Sequence, residues 1–389
     1  MSEKQVKQII GKVFDQLADT LISGEYGQKP KVAVTAMGSE HGEDNIYSAA
    51  VKAAKSGIDT TVIGSKEAEG VKTAFVNTED EAHTTMESLL NSKEVDAAVT
   101  MHYPFPIGVS TVGRVVTPGK GKEMFIATTT GTSSTDKVEG MVKNAIYGII
   151  TAKACGIKNP TVGILNVDGA RQTEIALKKL KDQGYDINFA ASQRADGGAV
   201  MRGNDLLTGS ADVMVMDSLT GNLMIKIFSS YTTGGSYESL GYGYGPGIGE
   251  NFDKLILIIS RASGSPLVEG AIKFAAELVK GGCLEIAKKE FEKAHKAGLT
   301  EILSGLKSSK KPAEEEIKAP EKQVVTSQIS GVEIMDLEDA VKLLWKNGIY
   351  AESGMGCTGP IILVNDANID KAIEILAENE YIAKEKSDC

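Results

Sequence analysis

Cysteine is sparse and dispersed in this chain. Its four thiols, Cys155, Cys283, Cys357 and Cys389, form no CxxC pair. That spacing excludes a disulfide framework and a zinc module, and it fits a reducing, cytoplasmic compartment. Histidine is equally scattered, at His41, His83, His102 and His295, so no metal site is expected. No apolar run approaches the ~20 residues of a membrane span. Basic charge is also in deficit, because 42 Lys and Arg against 52 Asp and Glu leave a net charge of −10. This argues against a nucleic-acid groove or an anionic membrane surface as the main partner. Any phosphate site has to be made locally, from backbone N–H groups and a few cations.

What is present suffices for two or three folded domains: 389 residues, 42% apolar and 24% charged. Residues 4–22 place Ile9, Ile10, Val13, Phe14, Leu17 and Leu21 at helical spacing, an amphipathic helix rather than a signal-peptide core. From residue 31 onward, apolar strands alternate with helices. Strands are expected at 31–36, 60–63, 96–100, 123–127, 161–165, 187–190, 212–216 and 254–260. Helices are expected at 46–55, 80–91, 136–155 and 171–183, after Asp217, after Pro266, and from Leu284 to about Leu306. The alternation predicts an α/β domain over residues 1–306 with a doubly wound, mostly parallel sheet. Five alternating glycines between Gly241 and Gly249 read as a flexible loop or lid.

Residues 307–323 are charged, contain Pro312 and Pro320, and have little to bury, which makes them a linker. Beyond them, residues 324–389 predict a small α+β module of βαββα order. Its elements are a strand at 324–329, a helix from Leu337 behind Asp336, a hairpin of 349–351 with 361–364, and a helix from Ile369.

Chemistry concentrates in the hairpin turn Gly354-Met355-Gly356-Cys357-Thr358-Gly359-Pro360. Glycines leave Cys357 open to approach, and the N–H groups of Gly356, Thr358 and Gly359 can form a nest for an oxyanion. A thiol beside an anion hole is what acyl transfer through a thioester requires. Spacing alone is equally compatible with a tight turn whose cysteine is a small apolar residue. Cys155 and Cys283 read as packing residues, and Cys389 as part of a loose terminus.

Two junctions in the large domain are candidates for phosphate. One is Asp217 to Asn222 with Lys226 one turn further on; the other is Arg261-Ala262-Ser263-Gly264-Ser265 before a helix. Hydroxyls, a cation and a helix N-terminus suit an anion, and Asn222, Lys226, Arg261 and Ser263 are the residues selected. N-capping by Asp217 or Ser218 is the alternative use of the first junction. Gly38 and Gly42 after the first strand, and His102 after the strand ending at Thr100, are weaker signals.

Residues 31–280 resemble the acyl-carrier-protein:phosphate acyltransferases, which turn an acyl thioester into an acyl phosphate. The matching stretches are Val34-Thr-Ala-Met-Gly38, Val162-Gly-Ile-Leu-Asn166, Gly203-Asn204 through Asp212, and Thr220-Gly221-Asn222 with Lys226. The resemblance implies a fold like that of the isocitrate and isopropylmalate dehydrogenases. With the linker and the cysteine motif included, the whole chain is similar to the alpha subunits of component C of glycine/sarcosine/betaine reductase complexes. That likeness implies an acetyl thioester on Cys357, derived from the carboxymethyl group of selenoprotein A and released by inorganic phosphate as acetyl phosphate. It also implies a ketosynthase-like beta subunit as partner and no bound cofactor. A non-catalytic docking subunit for selenoprotein A and beta, and a free-standing thioester:phosphate acyltransferase, are the alternatives.

Overall fold

The computed structural model describes residues 29–194, 197–308, 317–332, 336–356, 359–379, 381 and 382, with isolated positions before residue 29. Most of the expected N-terminal helix 4–22 and half of the expected linker, 309–316, lie outside the described residues. The chain divides into two compact units, Met1–Leu306 and Lys307–Cys389.

Unit one is built on a 12-stranded sheet. Its strands are β1 (Lys31–Thr35), β2 (Asp59–Gly64), β3 (Lys72–Phe75), β4 (Ala97–Thr100), β5 (Val109–Val116), β6 (Glu123–Thr132), β7 (Thr161–Leu165), β8 (Asn188–Phe189), β9 (Val200–Met201), β10 (Val213–Val215), β11 (Gly245–Ile248) and β12 (Ile256–Ile258). The order is β3-β2-β1-β4-β12-β11-β5-β6-β10-β7-β8, with β9 also beside β7. Strands β3, β2, β1, β4 and β12 are parallel, as are β6, β10, β7 and β8. Between these sections β11 pairs antiparallel with β12 and β5, and β5 antiparallel with β6. Three reversals make the two parallel sections run in opposite senses. The α/β class and the mostly parallel sheet follow the sequence pattern; the antiparallel centre does not, because the segments of β5 and β11 contain glycine and polar residues rather than an uninterrupted apolar run.

β11 corrects the expectation of a flexible lid. All four residues of Gly245–Ile248 are buried. Gly245 has φ +82°, and a Cβ there would overlap the carbonyl oxygen of Val112 on β5. The glycine serves a close backbone approach inside the sheet rather than mobility. A second correction is local. The helix expected from Leu284 to Leu306 breaks at Gly298 (φ +79°) into Cys283–Lys296 and Leu299–Ser308, because a left-handed residue cannot continue an α-helix.

Both faces of the sheet are covered. On one lie the helices Glu43–Lys55, Lys137–Ala154 and Ser265–Lys280, with Ala50, Ile146, Phe274 and Ala275 fully buried. The other face buries Ile63, Met86, Ile126, Met214 and Ile256. Apolar runs buried on both sides are what a parallel sheet demands. No helix among the described residues is long and apolar enough to cross a membrane.

Unit two folds as β13 (Ser327–Ser330), the helix Leu337–Lys346, β14 (Ala351–Gly356), β15 (Gly359–Val364) and the helix Ile369–Glu378. The three strands are antiparallel, in the order β13-β15-β14. Ile329, Val341, Leu344, Ile362, Val364 and Leu376 close a core of their own. The hairpin register runs out to the pair Gly356↔Gly359. Cys357 and Thr358, between that pair, lie outside the described residues, as does Cys389.

Candidate active site

The two sections of the sheet meet at a cleft of about 760 Å³ in unit one, within the size range of small-molecule sites. Residues at the C-terminal ends of β4, β6 and β12 line it, as does the helix Ser218–Ser230 that follows β10. Open α/β sheets bind ligands at such carboxyl ends.

The helix Ser218–Ser230 starts where Asp217 caps it. Asp217 Oδ1 accepts from the N–H groups of Leu219 and Thr220, both at 3.1 Å, and Oδ2 accepts from the Thr220 hydroxyl at 2.7 Å. Burial pushes this carboxyl up, but those hydrogen bonds, with the charge of Lys137, outweigh it and hold the group below the ordinary carboxylate value. The cap's stabilisation is therefore complete above the unfolded value of ~3.9 and is lost as pH falls through the lower folded-state value. Asp217→Ala should cost about 1 kcal/mol at neutral pH. Urea midpoints measured down the pH scale should converge with those of the parent protein only below that range.

Asn222 and Lys226, four apart, share the helix face that lines the cleft. Asn222 Nδ2 donates to the carbonyl of Thr129 at 3.1 Å. The Lys226 ammonium is half-exposed, 3.8 Å from Glu238 Oε1 and 5.7 Å from the centre of the Tyr244 ring. Glu238 is only 4% exposed. Its carboxylate accepts from the Tyr244 hydroxyl at 3.0 Å and from the Ser263 hydroxyl at 3.3 Å. Burial, then the Glu238 charge, pushes the Tyr244 phenol far above its usual value, so it stays neutral.

Arg261 also lines the cleft, in the turn after β12. Glu79 grips its guanidinium in fork geometry at 2.7 and 3.1 Å, and the carbonyl of Gly38 takes a third bond at 3.0 Å. The same hydrogen bonds hold the Glu79 carboxyl below its ordinary value. A guanidinium so clamped keeps its position, with donors left over for a ligand.

Of the four phosphate candidates, Asn222, Lys226 and Arg261 line this one cleft. Ser263 does not. It is 1% exposed, and its hydroxyl accepts from the Ser260 N–H at 3.0 Å behind the wall. His102 lines the cleft with the aromatic pair Tyr103 and Phe105. Gly38 contributes through its carbonyl to Arg261. Thr130, Gly131, Thr132 and Tyr244, which the sequence motifs do not single out, also line the cleft. The run of hydroxyls from Thr128 to Thr135 directly after an apolar strand was the available signal. Thr129 Oγ1 donates to the Tyr244 carbonyl at 2.7 Å, and Thr111 Oγ1 accepts from the Thr130 N–H at 3.0 Å.

Cys155 and Cys283 are packing residues. Burial pushes the Cys283 thiol up to about 12 and that of Cys155 higher still, so neither is a thiolate at neutral pH. Among the described residues no cluster of three His, Cys, Asp or Glu is arranged to hold a metal ion.

The alpha subunit of component C of the glycine/sarcosine/betaine reductase complex from Peptoclostridium acidaminophilum is 60% identical over 382 residues, 97% of this chain and 99% of that one. The chain belongs to that family. The family model described as Fatty acid synthesis protein matches residues 30–363, and the chain is a member of that family as well. The phosphate acyltransferase of Bacillus anthracis is 27% identical over 240 residues, covering 50% of this chain and 70% of that one. A branched-chain phosphotransacylase structure from Enterococcus faecalis superposes with a TM-score of 0.46 at 16% identity, over 64% of this chain and 99% of that one. At that score the superposition adds nothing to the fold already described.

Proposed function

We propose that this chain is the acetyl-transfer subunit of a glycine/sarcosine/betaine reductase complex. In this reading a two-carbon unit from carboxymethylated selenoprotein A arrives on Cys357 as an acetyl thioester, and inorganic phosphate releases it as acetyl phosphate. The observation that carries the phosphate step is the convergence of Asn222, Lys226 and Arg261 on one cleft at the carboxyl ends of the strands. The assignment to a reductase complex is supported by the 60% identical component C subunit, and the thioester step by the sequence Gly356-Cys357-Thr358-Gly359.

The arrival step is a two-electron reduction of the carboxymethyl carbon. The C–Se bond breaks, the selenium and a second thiol supply the electrons by joining as Se–S, and one carboxylate oxygen leaves as water as the thioester C–S bond forms. Release by phosphate needs no redox partner. A phosphate oxygen attacks the thioester carbon, a C–O bond forms and the C–S bond breaks. The proton of hydrogenphosphate ends on the sulfur. Lys226, Asn222 and Arg261 bind and orient the dianion. N–H groups around Cys357 stabilise the tetrahedral oxyanion, each such donor contributing ~3 kcal/mol in comparable sites. A ketosynthase-like beta subunit is the expected partner.

Exchange of labelled inorganic phosphate into acetyl phosphate, with beta present, tests the assignment. Lys226→Ala should raise the half-saturating phosphate concentration about tenfold or more, as loss of a charged hydrogen bond of ~1.5–3 kcal/mol requires. An unchanged phosphate dependence would remove the cleft from the reaction.

A further inference from the structure

Among the described residues in and behind the cleft wall, Glu238 is the buried carboxylate, and it reaches three separate elements around the cleft. Its Oε1 accepts from Tyr244 at the entry to β11 and lies 3.8 Å from the Lys226 ammonium on the helix Ser218–Ser230. Its Oε2 accepts from Ser263. Its backbone belongs to the same junction: the Glu238 N–H donates to Ala262 O at 3.1 Å, and the Gly264 N–H donates to Glu238 O at 2.8 Å. Arg261 sits on the turn those two bonds hold. One residue thus ties the helix that carries Lys226 to the turn that carries Arg261.

We infer that Glu238 is a positioning residue for the anion site, setting where the Lys226 ammonium stands relative to Arg261. This rests on the reading of the cleft as a phosphate site. A lysine ammonium is a point charge on a flexible stem with three rotatable donors. Left alone, it would sample solvent and lose that freedom on binding an anion. A buried carboxylate 3.8 Å behind it attracts the ammonium by charge, without a hydrogen bond, and keeps it beside the Tyr244 ring at the cleft wall, so its donors are not spent on the carboxylate. The carboxylate itself is kept in place by Tyr244 and Ser263, so it does not swing out to compete with the ligand.

The test is a double-mutant cycle read by calorimetric titration of the full chain with inorganic phosphate. Glu238→Gln keeps the size of the side chain and removes its charge; the dissociation constant for phosphate should rise about tenfold. In a Lys226→Ala background the same change should alter the constant by no more than about twofold, because its effect runs through Lys226. If Glu238→Gln does not fold, Tyr244→Phe probes the same link. It keeps the ring but frees Oε1 to draw the ammonium inward, so phosphate should bind more weakly with Lys226 present, and the loss should shrink to no more than about twofold without it. Absence of phosphate binding to the unaltered chain would overturn the cleft reading and this inference together. Binding that weakens on Lys226→Ala but not on Glu238→Gln, or that weakens equally in both backgrounds, would overturn the positioning role alone.

Discussion

Cys357→Ala is expected to abolish acetyl-phosphate formation by the complex, with a loss of at least ~10³-fold in turnover. The size follows from the chemistry assigned to the thiol. A residue that carries the acyl group covalently has no substitute when its sulfur is gone, and removing a nucleophile of this kind costs orders of magnitude in kcat. Cys357→Ser should be nearly as inactive, because an alkoxide is a far poorer leaving group than a thiolate when phosphate attacks. The phosphate dissociation constant should not change in either variant, since Asn222, Lys226 and Arg261 lie in unit one. Phosphate exchange into acetyl phosphate and calorimetry on the same preparations separate the two effects. Turnover retained by Cys357→Ala would assign the thioester to another subunit, leaving this chain a docking protein.

The second large effect is expected at Gly221. This glycine lies in the first turn of the helix Ser218–Ser230, and a Cβ on it would overlap the carbonyl oxygen of Thr128 on β6. Backbone does not yield as a flexible side chain does, so Gly221→Ala has to lift the helix start off the sheet. Overpacking of a close contact of this kind costs about 1–3 kcal/mol, against which the better helix propensity of alanine returns at most ~1 kcal/mol. The functional cost is larger than the thermodynamic one. Asn222 follows directly and Lys226 one turn later, so a displaced helix start moves both out of register with Arg261. Phosphate binding should fall at least tenfold in a protein that still unfolds cooperatively. Wild-type affinity in Gly221→Ala would show that the helix can shift without consequence for the cleft.

Local pattern made much of this legible. Apolar runs such as Lys31–Thr35 and Thr161–Leu165 announced parallel strands, and Asp217 announced the helix behind it. In unit two the spacing of Leu337, Ala340, Val341 and Leu344 was sufficient to place the helix and its buried face. Asn222 and Lys226 are four residues apart, so their common face could be read directly. What stayed hidden depends on distant partners. Arg261 is clamped by Glu79, 182 residues away in sequence, and nothing around either residue signals the other. Glu238 gains its meaning only when Tyr244, Ser263 and Lys226 surround it. β11 is hidden for a related reason: a glycine required by the approach of β5 has the same local signature as a glycine in a mobile loop. The antiparallel centre of the sheet is likewise a property of pairing, which local periodicity does not encode.

The central claim is that Cys357 carries the acetyl group and phosphate removes it. The most direct measurement runs the reaction backwards, incubating the full chain with acetyl phosphate, with and without beta, and examining the peptide that contains Cys357 by mass spectrometry. The account predicts an acetyl group on Cys357, labile to hydroxylamine and discharged by added phosphate or arsenate. An acetyl group found on a cysteine of beta, with Cys357 unlabelled in both preparations, would contradict it.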